Sequence, residues 1–543
     1  MEELPNEIRN DALKVLLQST RGLASCDLSI SEMTRKTIRK ISSLSWVQKN
    51  QLVETISGIV HYDGKRMPES ALRDWVTLRD DLIGSTFSDL LKRYVQLDML
   101  EDHFHNSEKY DETWIESKVH ELAERVVENP NLLNPEYSWL TTEEAKRGHQ
   151  FGYALGLLDE SFAFLDNLIE HQIKAGSNGS LNFLGGYFRA LFEKNSERWE
   201  GKLDTLSEIN SFKKNIPELT WRSGMTDRAA ERILSMLQKA DIELDSLGIF
   251  KFGGALRKMS EVAFTNWASF ILAEPSGKGA PMLLNFVHSY YVFETNKPLR
   301  KDIALNVLVH QGLWDESKMS VHDTMKDFYW KEVALKLISV FPETNEVIAK
   351  HILSSLGTKK SMFHGFPTEA ASEVLLEIAK NNPKGVWQEL ISFLNPSKGE
   401  QAFYIMQWLR GGIGFEMTAG ALSIFNIEDS WKWADEKPEE RARFLARCVS
   451  PVLFHSSDKT CLARELLARY GNREDVRGSL SGNYFTEGWT GPASLHFIGK
   501  KNALLEFKKE EKNENVIKWI DENLEILEER IDNSKMTEEK EFG

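Results

Sequence analysis

The chain has 543 residues but only three cysteines, Cys26, Cys448 and Cys461, which are too few for a disulfide framework or a cysteine-rich zinc site. This scarcity favours a reducing, cytoplasmic compartment. Proline is also scarce, because 15 residues are fewer than the usual share of about 5%. Few prolines favour long helices over sheets that are interrupted by turns.

The chain also has no excess of basic residues, because its 67 Lys and Arg and 82 Asp and Glu give a net charge of −15. A protein that binds nucleic acid over its whole surface usually has a basic excess, so only a local patch could bind DNA. The longest uncharged stretch near the middle, 279–293, is too short to span a bilayer. The N-terminus, MEELPNEIRN, is acidic and polar and does not resemble a secretory signal. We therefore predict no membrane partner.

The apolar residues that are present recur with the period of an α-helix. Hydrophobic residues make up 41% of the chain and charged residues 27%, which is typical of a globular protein. Asn513 is a candidate N-cap for a C-terminal helix. The apolar positions of that helix follow steps of three and four residues: Val516, Ile517, Ile520, Leu524, Leu527 and Ile531. Alternating patterns typical of strands are short, so we predict an all-α fold.

Two helical hairpins in the second half of the chain repeat each other. The first is a helix over 331–341, a stop at Pro342 and a helix over 345–356; the second is a helix over 371–382, a stop at Pro383 and a helix over 386–394. The two prolines are 41 residues apart. Leu337, Ile338, Ile348, Ile352, Leu353 and Leu356 align with Ile378, Ala379, Val386, Leu390, Ile391 and Leu394. A hairpin repeat of about 40 residues is typical of HEAT and armadillo proteins, so we predict an α-solenoid of degenerate HEAT-like hairpins.

Glycine-rich stretches and changes of pattern divide the chain into regions. The candidate breaks are the Gly-Ser cluster from Gly176 to Ser180, the Gly253-Gly254 pair and the glycines at 411, 412, 414 and 420. We predict an N-terminal helical region (1–130), a helical region of unresolved period (131–254), HEAT-like repeats (255–410), C-terminal repeats with a cap (411–531) and a flexible tail (532–543).

The motifs of catalysis are missing. Each of the Gly-Lys pairs, which end at Lys65, Lys202, Lys278 and Lys500, lacks the Ser or Thr that a P-loop needs for magnesium. His120-Glu121-Leu122-Ala123-Glu124 has a glutamate where a zincin has its second histidine, and it is typical of a surface pair. Cys448 lies on an apolar helical face and is predicted to be a core thiol. We predict no catalytic residue, no metal site and no cofactor.

One basic patch stands out in the acidic chain. Between 441 and 477 there are eight basic residues against four acidic ones. The patch could bind phosphates, and its candidate nucleic-acid-binding residues are Arg441, Arg443, Arg447, Arg464, Arg469 and Arg473. The alternative is a solvated helix face, because Glu439 precedes Arg443 and Glu465 precedes Arg469 by four residues.

An aromatic segment interrupted by glycines follows the patch. The stretch 481–494, SGNYFTEGWTGPAS, contains the candidate protein-binding residues Tyr484, Phe485 and Trp489. Such a loop on a rigid scaffold can be a binding hot spot. It can equally be a plug that seals the last repeat, and the composition favours the plug.

Several short segments carry a family resemblance: 131–140 (NLLNPEYSWL), Phe151-Gly152, Leu155-Gly156, Gly185-Gly186-Tyr187, 219–224 (LTWRSG), 253–256 (GGAL) and 488–492 (GWTGP). Together with the helix from Val516 to Arg530, they resemble the helical-repeat C-terminal regions of large bacterial antiphage defence proteins. The resemblance covers about residues 130–531. In those proteins the region follows a STAND-type (Avs-like) NTPase or another effector module. It implies that the repeats sense a phage product or assemble a complex, with the effector supplied elsewhere.

These observations lead to three functional predictions. The first is a non-enzymatic interaction or sensor module that recognises a protein partner, a phage protein or an effector subunit, in bacterial antiviral defence. The second is a nucleic-acid-binding component, with DNA bound through the basic patch. The third is a cryptic hydrolase whose acidic and histidine residues converge from distant repeats, which a deep pocket lined by both would support.

Overall fold

The structure is a computed structural model that describes residues 6–24, 27–41, 44, 46–96, 112–176, 179–313, 325–355, 368–394, 399–410, 420–449, 461–486 and 488–542. The chain divides into two compact units, Met1–Trp267 and Ala268–Gly543. The division falls within one helix, 13 residues after the boundary that the Gly253-Gly254 pair predicts. The other predicted borders stay predictions.

Unit 1 is helical throughout its described residues. Its helices are α1 (Asn6–Ala24), α2 (Leu28–Arg39), α3 (Trp46–Gly58), α4 (Glu69–Ile83), α5 (Phe87–Gln96), α6 (Glu112–Glu128), α7 (Tyr137–Leu140), α8 (Gly148–Leu158), α9 (Leu165–Ala175), α10 (Asn182–Lys194), α11 (Ser196–Ser207), α12 (Ile216–Ser223) and α13 (Asp227–Gln238). Helix α14 (Glu261–Leu272) crosses the division between the units. Short 3-10 turns such as Leu244–Lys251 and Ala255–Lys258 connect them.

Unit 2 continues in the same way. Its helices are α15 (Ala280–Val287), α16 (Lys301–Leu308), α17 (Lys326–Val340), α18 (Asn345–Ser355), α19 (Thr368–Asn381), α20 (Pro383–Phe393), α21 (Gly399–Arg410), α22 (Ile427–Glu436), α23 (Pro438–Cys448), α24 (Leu462–Tyr470), α25 (Glu474–Tyr484), α26 (Ala493–Glu510) and α27 (Glu514–Phe542). No strand occurs in the described residues of either unit. The predicted all-α fold class is confirmed.

The two repeating hairpins form and stack on each other. Helix α17 packs on α19 and α18 packs on α20, so equivalent helices of consecutive hairpins are neighbours. Each proline begins the second half of its hairpin: Pro342 opens a 3-10 turn before α18, and Pro383 is the first residue of α20. The Asn382 side chain caps α20 by accepting a hydrogen bond from the Gly385 N–H at 3.1 Å. This stacking is how helical repeats share one core.

Burial explains why the aligned positions repeat. Leu337, Ile348, Ile352 and Leu353 of the first hairpin are buried, and so are Ile378, Ala379, Val386 and Leu390 of the second. Ile391 is only half-buried, and Leu356 lies outside the described residues. An isolated hairpin could not cover these side chains, so the neighbouring hairpins hold each other in place.

The C-terminal helix is longer than the sequence predicts. The side chain of Asn513 caps α27 as expected, because its Oδ1 accepts hydrogen bonds from the N–H groups of Asn515 and Val516. The helix does not end at Ile531 but continues to Phe542, through the segment that we predicted to be a flexible tail. Helix α26 packs along α27 and covers its apolar side.

Glycines allow α8 and α10 of unit 1 to pack with their backbones close together. Gly148, Gly152 and Gly156 recur every four residues and lie on one side of α8. A Cβ atom at Gly152 would lie 3.1 Å from the carbonyl carbon of Phe183, and one at Gly186 would lie 2.7 Å from that of His149. Because the obstacles are backbone atoms, no side-chain rotation can make room. Gly152, Gly156 and Gly186 are part of the segments that carry the family resemblance.

Two other segments of that resemblance, 219–224 and 253–256, are connected to this pair of helices through α12. Helix α12 packs on α10, and the Trp199 indole donates a hydrogen bond to Ser223 Oγ at 2.9 Å. Trp221 donates to the backbone oxygen of Phe252 at 3.0 Å, next to Gly253 and its left-handed backbone (φ 71°). The geometry gives these residues a structural role in the core of unit 1.

Candidate interaction site

Most arginines of the basic patch are bound to acidic residues of the same chain. The pairs, with their N–O distances, are Arg441–Glu436 at 2.5 Å, Arg464–Glu511 at 2.7 Å, Arg469–Asp435 at 2.6 Å and Arg473–Asp475 at 3.2 Å. The hydrogen bonds and charge of Asp435 raise the pKa of Arg469. A guanidinium that already has a carboxylate partner gains less from a phosphate, so four of the six candidate residues are poorly suited to binding DNA.

Arg443 and Arg447 are the exceptions. They lie four residues apart on α23, are exposed, and their guanidinium groups make no hydrogen bond or ion pair with a described residue. The i,i+4 pairs that the sequence indicates with Glu439 and Glu465 do not form. Two free arginines make a small footprint for a duplex, so nucleic-acid binding stays a prediction that this geometry supports weakly.

The aromatic segment 481–494 divides into a buried part and an exposed part. Tyr484 is 1% exposed, and its ring lies edge-on to Trp519 with centroids 5.6 Å apart. Lys500 donates a hydrogen bond to the backbone oxygen of Tyr484, and its Nζ lies 4.2 Å from the centroid of the tyrosine ring. A partner cannot reach Tyr484, so this candidate binding residue belongs to the plug instead. Phe485 is half-buried beside it.

Trp489 is the exposed part. It is 39% exposed, yet its ring is held flat against His496, with centroids 4.8 Å apart and planes 13° from parallel. On another side it contacts Phe497, which is buried, at 5.3 Å. A large side chain that is both accessible and fixed loses little conformational entropy when it contacts a partner.

An open groove begins two residues after Trp489. It has a volume of about 630 Å³ and is lined by Gly491, Pro492 and Ala493 before α26 and by Asn533, Ser534, Thr537 and Glu538 on α27. We call it the α26–α27 groove. A Cβ atom added at Gly491 would meet nothing within 4 Å, so this rim is open. Small side chains on one wall and polar ones on the other leave room for an extended peptide.

Glu538 joins the two walls of the groove. Its carboxylate accepts hydrogen bonds from the N–H of Ser494 at 2.9 Å and from its Oγ at 2.6 Å, and so caps the start of α26. The hydrogen bonds from Ser494 lower the pKa of Glu538. A carboxyl with a lowered pKa in the folded protein contributes stability above its ordinary pKa and loses it as the pH falls.

We therefore expect the Ser494 amide to be protected from hydrogen exchange by a pH-dependent contact. At about pH 7 the protection factor should be higher in the wild type than in Glu538→Ala, and the difference should disappear as the pH falls through the lowered pKa of Glu538 and the carboxyl becomes protonated. Hydrogen exchange measured by NMR checks this. Equal protection of wild type and variant at neutral pH would contradict the cap.

A second polar centre in unit 2 was not predicted from the sequence. Arg410, the last residue of α21, is only 9% exposed and has no carboxylate partner among the described residues. Its guanidinium donates to Asn483 Oδ1 at 2.9 Å and to Thr486 Oγ1 at 3.2 Å. Asn483 Nδ2 in turn donates to backbone oxygens at the end of α23, those of Ala446, Arg447 and Val449.

The buried charge of Arg410 lies where the C-terminal ends of three helices meet. Arg410 closes α21, Asn483 lies in the last turn of α25, and the carbonyl groups belong to the end of α23. Helix C-termini carry partial negative charge, which stabilises a cation. For the same reason an anion would be repelled, so we assign Arg410 a structural role.

A wide cleft in unit 1 is lined by several charged residues, some of them paired. It measures about 910 Å³ between α11 and α13. Arg232 is buried and binds Glu200 and Asp204, while Lys213 binds Asp241 at 2.8 Å. Burial raises the pKa of Asp204, but the hydrogen bonds and charges of Arg232 and Arg228 outweigh it and keep the pKa low. No histidine is among the described residues that line it, so the hydrolase prediction gains no support here.

Other groups with catalytic potential are isolated. No group of three His, Cys, Asp or Glu that could hold a metal ion occurs among the residues that the structure describes. His120 and Glu124 form an exposed i,i+4 pair at 3.6 Å. Burial raises the pKa of Cys448 and of Cys461, which disfavours the thiolate. Cys26 and the run 411–414 lie outside the described residues.

A further buried acid, Asp159, also has a structural role. Tyr187 donates a hydrogen bond to Asp159 Oδ2 at 2.5 Å, and the N–H of Phe164 donates to the same oxygen at 3.1 Å. Burial and the neighbouring carboxylate raise the pKa of Tyr187. This contact fixes the turn between α8 and α9, where Phe162 has a positive φ of 55°.

No helix among the described residues has the length and apolar character needed to cross a bilayer. Comparisons with protein-family models, with curated proteins and with solved structures find no match to this chain.

Proposed function

We propose that this chain is a non-enzymatic helical-repeat module that binds a protein partner, a phage protein or an effector subunit, in the cytoplasm during bacterial antiviral defence. The observation that carries the proposal is Trp489, an exposed ring that is fixed against His496 beside the open α26–α27 groove. Fixed, accessible tryptophans are enriched among the residues that dominate protein interfaces.

Three further features support the proposal. The stacked hairpins of unit 2 form the kind of scaffold that repeat proteins use for extended binding surfaces. Asp204 and Asp241 in the cleft of unit 1 are bound to arginine and lysine, which leaves these two acids unsuited to acid–base chemistry. The resemblance to the repeat regions of antiphage proteins supplies the biological setting, and it is the only support for that setting.

Trp489→Ala should remove the partner. The affinity-tagged chain is purified from phage-infected and uninfected bacteria, and co-purifying proteins are quantified by mass spectrometry. Loss of a hot-spot tryptophan weakens an interface by about 2 kcal/mol or more, which is about 30-fold in Kd. We expect a protein that the wild type retains and Trp489→Ala does not.

The matched control is Phe252→Ala, which removes an aromatic side chain that is 58% exposed in unit 1. This variant should retain the partner, and both variants should melt at the wild-type temperature. If the partner is retained equally by wild type and Trp489→Ala, or if none is recovered from infected or uninfected cells, the proposal is wrong.

A further inference from the structure

Arg530 differs from the arginines of the basic patch. It is exposed on α27, and it makes no hydrogen bond or ion pair with any described residue. Its guanidinium carbon lies 4.3 Å from the centroid of the Phe485 ring and 5.6 Å from that of Phe497. A guanidinium that stacks on an aromatic ring is held in place while the N–H donors at its edge stay accessible.

Arg530 and Trp489 lie beside the same buried ring. The Trp489 centroid is 5.3 Å from that of Phe497, and the Arg530 guanidinium is 5.6 Å from it. Arg530 also precedes the groove residues Asn533 and Ser534 by three and four positions, so it lies on the side of α27 that lines the α26–α27 groove. One short segment of a partner can therefore contact both groups.

The charges near Arg530 restrict what it can bind. Its donors match the two oxygens of a carboxylate, which Arg binds in a planar, bidentate geometry. Glu529 and Asp532 are exposed on the same helix, so a run of acidic residues would be repelled. The Glu538 carboxylate already accepts two hydrogen bonds from Ser494, so it attracts a basic ligand less strongly than a free carboxylate would.

We infer that the α26–α27 groove binds an extended protein segment that presents a single carboxylate to Arg530 and an adjacent aromatic or aliphatic side chain to Trp489. This inference rests on the proposed function, because it defines the chemistry of the partner that the function requires. The ligand is an extended, acidic protein segment. Binding of a basic segment, or of a flat surface in place of an extended peptide, would be a different outcome of the test.

The test is selection from a random 12-residue peptide library displayed on phage, with the full chain as bait. Peptides with one Asp or Glu next to an aromatic or aliphatic residue should be enriched. Arg530→Glu should weaken synthetic versions of these peptides by about tenfold or more, as expected for loss of a bidentate pair. Arg39→Glu, which reverses an exposed arginine of α2 in unit 1, should leave their affinity unchanged.

Repeating the selection with Arg530→Glu as bait tests whether the specificity for charge reverses. Enrichment should move to peptides with Lys or Arg at the position of the former acid, because position 530 now carries a carboxylate. Arg530→Glu could instead lose affinity for the acidic peptides without selecting basic ones, while its melting temperature is unchanged. This result would contradict a direct contact between Arg530 and the peptide carboxylate. Affinity of the wild type for its peptides should also fall with added salt.

Other outcomes overturn the inference. The inference is wrong if the wild type enriches basic peptides or enriches no peptides at all. It is also wrong if acidic peptides bind Arg530→Glu with the same affinity as they bind the wild type. The proposed function fails separately: a cellular partner that is lost in Trp489→Ala but retained by Arg530→Glu keeps that function and rejects the carboxylate contact.

Discussion

Gly186→Ala should destabilise unit 1 by about 3 kcal/mol. The new Cβ atom would lie within contact distance of the carbonyl of His149 and 2.8 Å from the backbone nitrogen of Tyr153. Both obstacles are backbone atoms of α8, so the two helices must separate and lose buried contacts. Alanine is otherwise favoured over glycine in a helix by about 1 kcal/mol, which offsets only part of the loss.

Gly201→Ala is the matched control. Gly201 lies inside α11, and a Cβ atom there would meet nothing within 4 Å. This variant should be stabilised by about 0.5–1 kcal/mol through helix propensity alone. Denaturant unfolding, with hydrogen exchange of α8 and α10 to identify the unit that unfolds, measures both variants. Equal stability of Gly186→Ala and the wild type would contradict the close packing.

Asn483→Ala should destabilise unit 2 by about 3 kcal/mol. The side chain is 7% exposed and connects the Arg410 guanidinium to three backbone oxygens at the end of α23. Removal leaves a buried cation without this acceptor and leaves the carbonyl groups without their donor. Buried groups that lose a partner in this way cannot recover the hydrogen bonds from water.

A double-mutant cycle separates this coupling from loss of packing. Arg410→Met removes the buried charge, so Asn483→Ala should be less damaging in that background by about 1 kcal/mol or more. Asn381→Ala, which removes an exposed asparagine from α19, should change the stability by less than about 0.5 kcal/mol. Additive effects of the two mutations would show that Asn483 does not stabilise Arg410.

The repeated hairpins could be predicted because their signals are local. Pro342 and Pro383 stop helices at equivalent positions, and the apolar residues around them keep the helical period. The close packing of α8 and α10 could not be predicted in this way. A period of 3.6 residues identifies the buried side of a helix but not the distance to its neighbour, although the spacing of Gly148, Gly152 and Gly156 is a signal in retrospect.

The site depends on contacts between residues that are far apart in the sequence. Arg469 pairs with Asp435 and Arg464 with Glu511, 34 and 47 residues away, so counting charges within a window overestimates the basic patch. Tyr484 and Trp489 are equally aromatic in the sequence, and only the packing of α26 and α27 buries one and exposes the other. Arg530 carried no signal, because an arginine in an amphipathic helix is ordinary.

Site-specific photo-crosslinking at position 537 tests the central claim most directly. The change Thr537→p-benzoylphenylalanine places the reactive group on a residue that lines the groove and keeps Trp489, and Phe252→p-benzoylphenylalanine places it on exposed surface in unit 1. In phage-infected bacteria, position 537 should form an adduct with one protein, through a peptide that contains an acidic residue, and Arg530→Glu should strongly reduce it. The same adducts at both positions, or none at 537 in the folded chain, would contradict a binding module that uses this groove.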